Sequence, residues 1–162
     1  MENYETIARR MGYVHKGIIL RNSAIKKGDG YIKFRLSNHQ KLLGYVREGG
    51  NCFKENALYE TYILIQSNSK PIATRSTEQG PYFTHRIMTQ NKVRYQGILE
   101  CIFDGYPYQD NRIFVKMGLN CGLKIRLDSD FPNDISLKPN ETWFHGSGNI
   151  WLDFLSIEPL DE

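Results

Sequence analysis

The segment 112–128, RIFVKMGLNCGLKIRLD, contains two short runs in which apolar side chains alternate with mostly basic ones. Glycine and asparagine separate the two runs, which is typical of a turn. Successive side chains of a β-strand point to opposite faces, so each run predicts a strand with one apolar face and one mostly basic face. The apolar positions are Ile113, Val115, Met117, Leu123, Ile125 and Leu127. We therefore expect a β-hairpin whose apolar face packs against a core.

The same period of two recurs along most of the chain. Strands are predicted over 13–20, 31–37, 58–66, 81–88, 92–103, 143–145 and 150–157. Gly97 lies in the middle of the longest of these strands and predicts a bulge or a sharp bend there. The glycine pairs in 28–30 and 146–148 lack the further residues of a phosphate-binding loop, so both segments are interpreted as hairpin turns.

A short N-terminal helix is the one clear exception to the strand pattern. It is predicted over 3–11 by apolar residues that share one face at helical spacing, namely Tyr4, Ile7, Ala8 and Met11. The segment Lys41–Val46 fits a short helix and a strand about equally.

These elements predict an all-β fold, mainly antiparallel, with a short N-terminal helix. The expected architecture is an OB-like, partly open barrel or a curled β-sandwich, and the second choice is a closed up-and-down barrel similar in architecture to a lipocalin. The last predicted strand is apolar on both faces, which is typical of an interior strand. The residues expected to be buried are Ile113, Val115, Leu123, Ile125, Leu152 and Phe154.

The length of 162 residues fits a single domain, 1–162, large enough to bury a core without a metal or disulfide. The three cysteines are odd in number, and the chain carries neither a signal peptide nor a run of 18 apolar residues. We therefore expect a protein of the reducing cytoplasm that does not span a membrane. The oligomeric state is left open.

No motif indicates catalysis, a cofactor or a metal. The four histidines are widely spaced, no pair of cysteines has a metal-ligand spacing, and the loop acids Asp128, Asp130 and Asp134 do not follow an EF-hand pattern. We expect no cofactor and no metal, and an enzyme is the least supported class of function. A net charge of +3 is too small to indicate a nucleic-acid partner by itself. A hypothesis of nucleic-acid binding therefore depends on where the basic residues lie in the fold.

The predicted strands carry basic and aromatic side chains on one face. Proteins that bind single-stranded nucleic acid combine cations for the phosphates with aromatic rings on which bases stack. The predicted nucleic-acid-binding residues are Tyr31, Lys33, Arg35, Lys92, Arg94, Arg112, Phe114, Lys116, Lys124 and Arg126. The leading hypothesis is thus a non-enzymatic binding protein that contacts single-stranded nucleic acid or a nucleoprotein complex.

Two other classes of function remain open. In a barrel that binds a small molecule, a cavity would be lined by Trp143, Trp151, Tyr95 and Phe103. The chain could also act through protein contacts alone, as an inhibitor or an assembly subunit. A solvated face of lysine and arginine also occurs in ordinary antiparallel sheets, where it protects against edge-to-edge aggregation.

Overall fold

A computed structural model describes residues 4–24, 28–67, 72–74, 80–85, 90–103, 111–116, 119–125 and 137–161. Its elements are helix α1 (Tyr4–Arg10), strands β1 (Val14–Asn22), β2 (Gly30–Leu36) and β3 (Lys41–Val46), a 3₁₀ helix (Gly50–Cys52), and strands β4 (Leu58–Ser67), β5 (Ile72–Thr74), β6 (Tyr82–Thr84), β7 (Lys92–Phe103), β8 (Asn111–Lys116), β9 (Asn120–Ile125) and β10 (Trp143–Phe154). The prediction of a mostly β structure with one short N-terminal helix is confirmed.

The ten strands form one mixed sheet in the order β5-β10-β3-β2-β1-β4-β9-β8-β7-β6. Two pairings are parallel, β10 with β3 and β4 with β9, and the other pairings are antiparallel. The hairpin expected from the 112–128 pattern is present, because β8 pairs with β9 in continuous antiparallel register.

Strand β10 also pairs with β4 and with β7, which links the sheet back onto itself. The pairings therefore follow a circuit from β1 through β2, β3, β10 and β4 back to β1. A second circuit runs from β4 through β9, β8, β7 and β10 back to β4. The two circuits share β4 and β10, so these strands lie at the centre of the molecule.

One large apolar cluster fills the side of the sheet that we call the inner face, and it includes residues of both circuits. Three of the predicted core residues, Val115, Leu123 and Leu152, are buried in it, and Phe154 is partly buried against it. The side chains of Ile113 and Ile125 lie outside the described part of the structure. Burial of large side chains such as these contributes about 1.5–3 kcal/mol each to folding.

A second, smaller cluster lies on the opposite, outer face of β4, where helix α1 packs. Ala8 of the helix and Tyr13 after it are buried against Tyr62 and Leu64 of β4. Arg9 anchors the helix from the same side, since its guanidinium binds the carboxylate of Glu60. Strand β4 is thus buried on both faces, as its run of β-branched and aromatic residues requires.

The structure resolves one open expectation and corrects two others. Lys41–Val46, which fitted a helix or a strand, is strand β3, because every residue from Lys41 to Val46 pairs with β2 in a regular hairpin.

The bulge expected at Gly97 lies instead between Leu99 and Cys101, while Gly97 itself pairs regularly with Phe144. That bulge exchanges the faces of β7, so Cys101 packs into the outer cluster and Ile102 against the inner core.

The second correction concerns the segment 146–148, which is not a hairpin turn. Strand β10 runs without interruption from Trp143 to Phe154. A Cβ atom at Gly148 would lie 2.5 Å from the backbone oxygen of Gln66, so glycine is required where β10 crosses β4. A Cβ at Gly146 would lie 3.0 Å from the Tyr95 hydroxyl. These glycines permit close approach of neighbouring strands rather than a change of direction.

Candidate functional site

The outer face of β2 carries the first group of predicted site residues. Ile32, Phe34 and Leu36 point into the core, so the alternate positions Tyr31, Lys33 and Arg35 point outward. Tyr31 is 43% exposed, so its ring is accessible to solvent. The sequence pattern predicted these two faces of β2 correctly.

The neighbouring strands add cations to this face that the sequence pattern did not indicate. Arg21 of β1 lies directly opposite Lys33, and Lys41 of β3 lies directly opposite Arg35. Lys16 of β1 is exposed on the same face. We call the set Lys16, Arg21, Lys33, Arg35 and Lys41 the cationic face.

Among the described residues, no ion pair neutralises the cationic face, although Glu60, which binds Arg9, lies opposite Lys16 in register. Within the described ranges, ion pairs join Arg9 to Glu5 and Glu60, and Lys116 to Glu100. None of the five residues of the cationic face forms an ion pair with another described residue. Five like charges on three adjacent strands repel one another, so this arrangement favours an anionic ligand.

Three aromatic rings form a row beside these cations. Tyr31 lies opposite Tyr45, with ring centroids 5.6 Å apart, and Tyr45 lies opposite Trp151 of β10, with centroids 5.0 Å apart. Both pairs are edge-to-face, at interplanar angles of 69° and 67°. We call Tyr31, Tyr45 and Trp151 the aromatic row. Such pairs contribute about 0.5–1.5 kcal/mol beyond their buried area and hold the rings in place.

A hydrogen bond fixes the central ring of the row. The Tyr45 hydroxyl donates to a carboxylate oxygen of Asp29 at 2.7 Å. This bond to a carboxylate raises the pKa of Tyr45 and orients its ring. Asp29 precedes β2 in the turn expected over 28–30, and the turn thereby supports the row.

The row continues in register across the sheet until helix α1 covers it. Trp151 lies opposite Leu64 of β4, and Leu64 lies opposite Gly122 of β9. Leu64 is buried beneath the helix, and Trp151 packs partly against the same cluster. Solvent therefore reaches the row at its Tyr31 end, and Trp151 marks the border between the open face and the covered one.

A cavity of about 420 Å³ adjoins the row at Trp151. Its lining combines apolar and charged residues from β3, β10 and the segments near them. These residues are Val46, Arg47, Glu48, Phe53, Leu64, Trp151, Leu152, Asp153, Phe154 and Ile157. The sequence pattern did not predict this cavity, because it depends on how β3 and β10 meet in space.

Six of the seven remaining predicted site residues, all except Arg126, lie on strands that are not neighbours of β2. Strands β7, β8 and β9 are adjacent to one another, but β1 and β4 separate them from β2. Lys92 and Arg94 are exposed on β7, opposite Asn149 and Ser147 of β10. The nine predicted residues whose backbone the structure describes are therefore divided between two parts of the sheet.

Lys116 is exposed but its ammonium lies 2.6 Å from the Glu100 carboxylate, so its charge is compensated. Arg112 lies directly opposite Lys124, and Phe114 opposite Gly122, by backbone register. The side chains of Arg112, Phe114 and Lys124 are outside the described part of the structure. Arg126 and the acidic positions Asp128, Asp130 and Asp134 lie in segments that are likewise not described.

Of the four residues proposed to line a ligand cavity, Tyr95 and Trp151 lie on opposite faces of the sheet. Tyr95 is fully buried in the inner core, where its hydroxyl lies 2.9 Å from that of Ser67. Burial raises the pKa of Tyr95 to about 12. Trp151 faces the other side of the sheet, Trp143 is half-buried, and the side chain of Phe103 is not described.

In the part of the chain that the structure describes, no group of three or more His, Cys, Asp or Glu residues is arranged to hold a metal ion. The described residues also include no helix that is long and apolar enough to cross a membrane.

No protein-family model matches this chain, and no curated protein matches its sequence. The geometry of the outer face is therefore the basis for any functional conclusion.

Proposed function

We propose that the protein binds single-stranded nucleic acid, free or within a nucleoprotein complex, through the cationic face and the aromatic row, without enzymatic activity. The observation that supports this most strongly is the position of Tyr31, which is exposed between the cations of β2 and the other rings of the row. A strand lying across β1, β2 and β3 can place phosphates on the cations and a base on the exposed ring. Phosphate contacts supply most of the affinity, and each stacked base adds about 1–3 kcal/mol.

We also propose that the first circuit of strands is a small, partly open barrel of the OB type. The supporting observation is that the pairings of five strands form a circuit, with β3 and β10 paired at the single position Trp151–Tyr45. In OB-type barrels the face formed by strands 2 and 3 binds oligonucleotides and oligosaccharides. Here that face carries Lys33, Lys41 and the two tyrosines of the row.

The direct test is binding of a fluorescein-labelled ten-nucleotide single strand, followed by anisotropy between about 25 and 300 mM salt. If four or five cations contact phosphates, the log–log slope of affinity against salt should be about −3, since each phosphate on a single strand contributes about −0.7. Absence of binding at the lowest salt would contradict the proposal.

The same assay separates stacking from charge. Tyr31→Ala should weaken binding about 5- to 150-fold, which corresponds to one lost stack, and leave the salt slope unchanged because no charge is removed. Tyr82→Ala is the matched control, because Tyr82 is 37% exposed but lies on β6, away from the row. Equal losses in the two variants would show that the row does not stack on bases.

A further inference from the structure

The cavity begins where two parallel strands separate. Tyr45 and Trp151 pair with each other; after this position β3 ends at Val46, followed by Arg47, while β10 continues to Leu152 and Asp153. Residues from both continuations line the cavity. It is therefore a gap in the sheet that starts at the last ring of the aromatic row.

The floor of the cavity is apolar and consists of aromatic rings packed against one another. Phe154 contacts Phe53 at a centroid distance of 4.4 Å and Tyr59 at 5.7 Å, and Phe53 contacts Tyr59 at 5.3 Å. The Tyr59 hydroxyl accepts a hydrogen bond from the backbone N–H of Lys54, which fixes the segment that carries Phe53. Rings packed against one another in this way hold each other in place, so the floor is formed in the structure without a ligand.

The rim of the cavity carries charges of both signs. Arg47 and Glu48 are exposed at the end of β3, and neither forms an ion pair with another described residue. Asp153 stands on the β10 side. A ligand made only of phosphate groups would be repelled by the Glu48 carboxylate, whereas a ligand with one anionic group and nearby hydrogen-bond donors would match the rim.

We propose that this cavity takes one nucleobase of the bound strand, a base that carries an exocyclic amino group. This inference rests on the proposed function, since the strand reaches the cavity across the aromatic row. The base lies against Trp151, its amino group donates to the Glu48 carboxylate, and Arg47 binds the neighbouring phosphate. Carboxylates accept hydrogen bonds from the cytosine amino group, whereas thymine presents an acceptor and a methyl group at the equivalent position.

The volume of the cavity agrees with this occupant. Sites for small organic ligands range from about 300 to 1,000 Å³, and 420 Å³ lies near the lower limit. The space suits one nucleotide rather than a length of chain. The remaining nucleotides of the strand then stay on the open face.

Titration with mononucleotides tests the inference. In a Trp143→Phe background, Trp151 is the one tryptophan left in the chain. Quenching of tryptophan fluorescence then reports the binding of a ligand in the cavity. Deoxycytidine monophosphate should quench it saturably and bind about tenfold more tightly than thymidine monophosphate, a pyrimidine of similar size without the amino group. Glu48→Gln should abolish this preference. Glu141→Gln, an exposed acid next to β7, should leave the preference intact.

Oligomers distinguish failure of this inference from failure of the proposed function. Ten-nucleotide dC and dT strands should show the same salt slope but a preference for dC that disappears in Glu48→Gln. Salt-dependent binding without any base preference would overturn the cavity inference and leave the strand-binding proposal standing. Quenching of Trp151 fluorescence by deoxycytidine monophosphate, without binding of the oligomers, would overturn the proposed function. It would also overturn the inference that a strand reaches the cavity across the aromatic row.

Discussion

At the residue scale, His15 joins the two circuits of the sheet. It lies on β1, and its Nε2–H donates to the backbone oxygen of Asn120 on β9 at 2.7 Å. The side chain of Asn120 in turn contacts the backbone oxygens of Met11 and Gly12 at the end of helix α1. Burial lowers the pKa of His15, although the bond to Asn120 acts in the opposite direction.

The shifted pKa of His15 predicts a loss of stability in mild acid. The unfolded histidine titrates near pH 6.5, whereas the folded one resists protonation, so the unfolded chain binds more protons below that pH. The free energy of unfolding should therefore fall between pH 7 and pH 5.5, with a slope of at most about 1.4 kcal/mol per pH unit from this group. Urea titrations across this range measure it.

His15→Gln is the informative variant, because glutamine retains a donor for the Asn120 carbonyl but does not titrate. Its stability should be nearly constant between pH 7 and pH 5.5. His39→Gln is the matched control, since His39 is exposed in the turn between β2 and β3. If His15→Gln retains the full acid dependence of the natural chain, another group is responsible.

At the element scale, strand faces could be predicted wherever alternation is regular. In β2 and in the β8–β9 hairpin, the side chains that were predicted to face the core are buried wherever the structure describes them, as Ile32 and Val115 show. Alternation fails at irregularities that depend on a neighbouring strand. The bulge after Leu99 reverses the faces of β7, and another after Ile19 brings Arg21 opposite Lys33. No local signal marks either position, so Arg21 was missed.

The glycines of β10 show a second limit of local patterns. Glycine pairs usually occur in turns, but here they mark the crossing of β10 with β4 and β7. The crossing with β4 joins segments that are far apart in the chain, and local alternation carries no information on register at such separation. The cationic face was predicted in part, since β2 supplied Lys33 and Arg35, whereas its neighbours β1 and β3 could not be identified.

Gly148→Ala tests the crossing of β10 and β4. The added methyl group would lie 2.5 Å from the Gln66 oxygen and 2.8 Å from Ile65 Cγ2, so the strands must separate. Overpacking of this kind costs about 1–3 kcal/mol of folding free energy. Gly80→Ala is the control, because a Cβ there meets nothing within 4 Å. Urea denaturation should show a clear loss of stability for Gly148→Ala and little change for Gly80→Ala, and similar stabilities would contradict the crossing.

At the scale of the whole molecule, the arrangement of strands divides the predicted basic residues into two groups. The circuit of β1, β2, β3, β10 and β4 exposes the cationic face, while β7, β8 and β9 belong to the other circuit. On the second circuit, helix α1 covers part of the outer face and Glu100 compensates Lys116. The two groups therefore differ in how freely they can meet an anionic strand.

Charge reversal on each circuit measures this difference directly. Lys33→Glu/Arg35→Glu and the control Arg94→Glu/Lys138→Glu change the net charge equally, and the control residues are exposed on β7 or beside it. In the anisotropy assay with a ten-nucleotide strand, the first variant should bind at least tenfold more weakly, and the magnitude of its salt slope should fall by about 1.4, because two phosphates no longer meet a cation. The control should retain most of its affinity, and both variants should unfold near the temperature of the natural chain. An equal loss of affinity in both variants would contradict the proposed function, because binding would then follow net charge rather than the face formed by β1, β2 and β3.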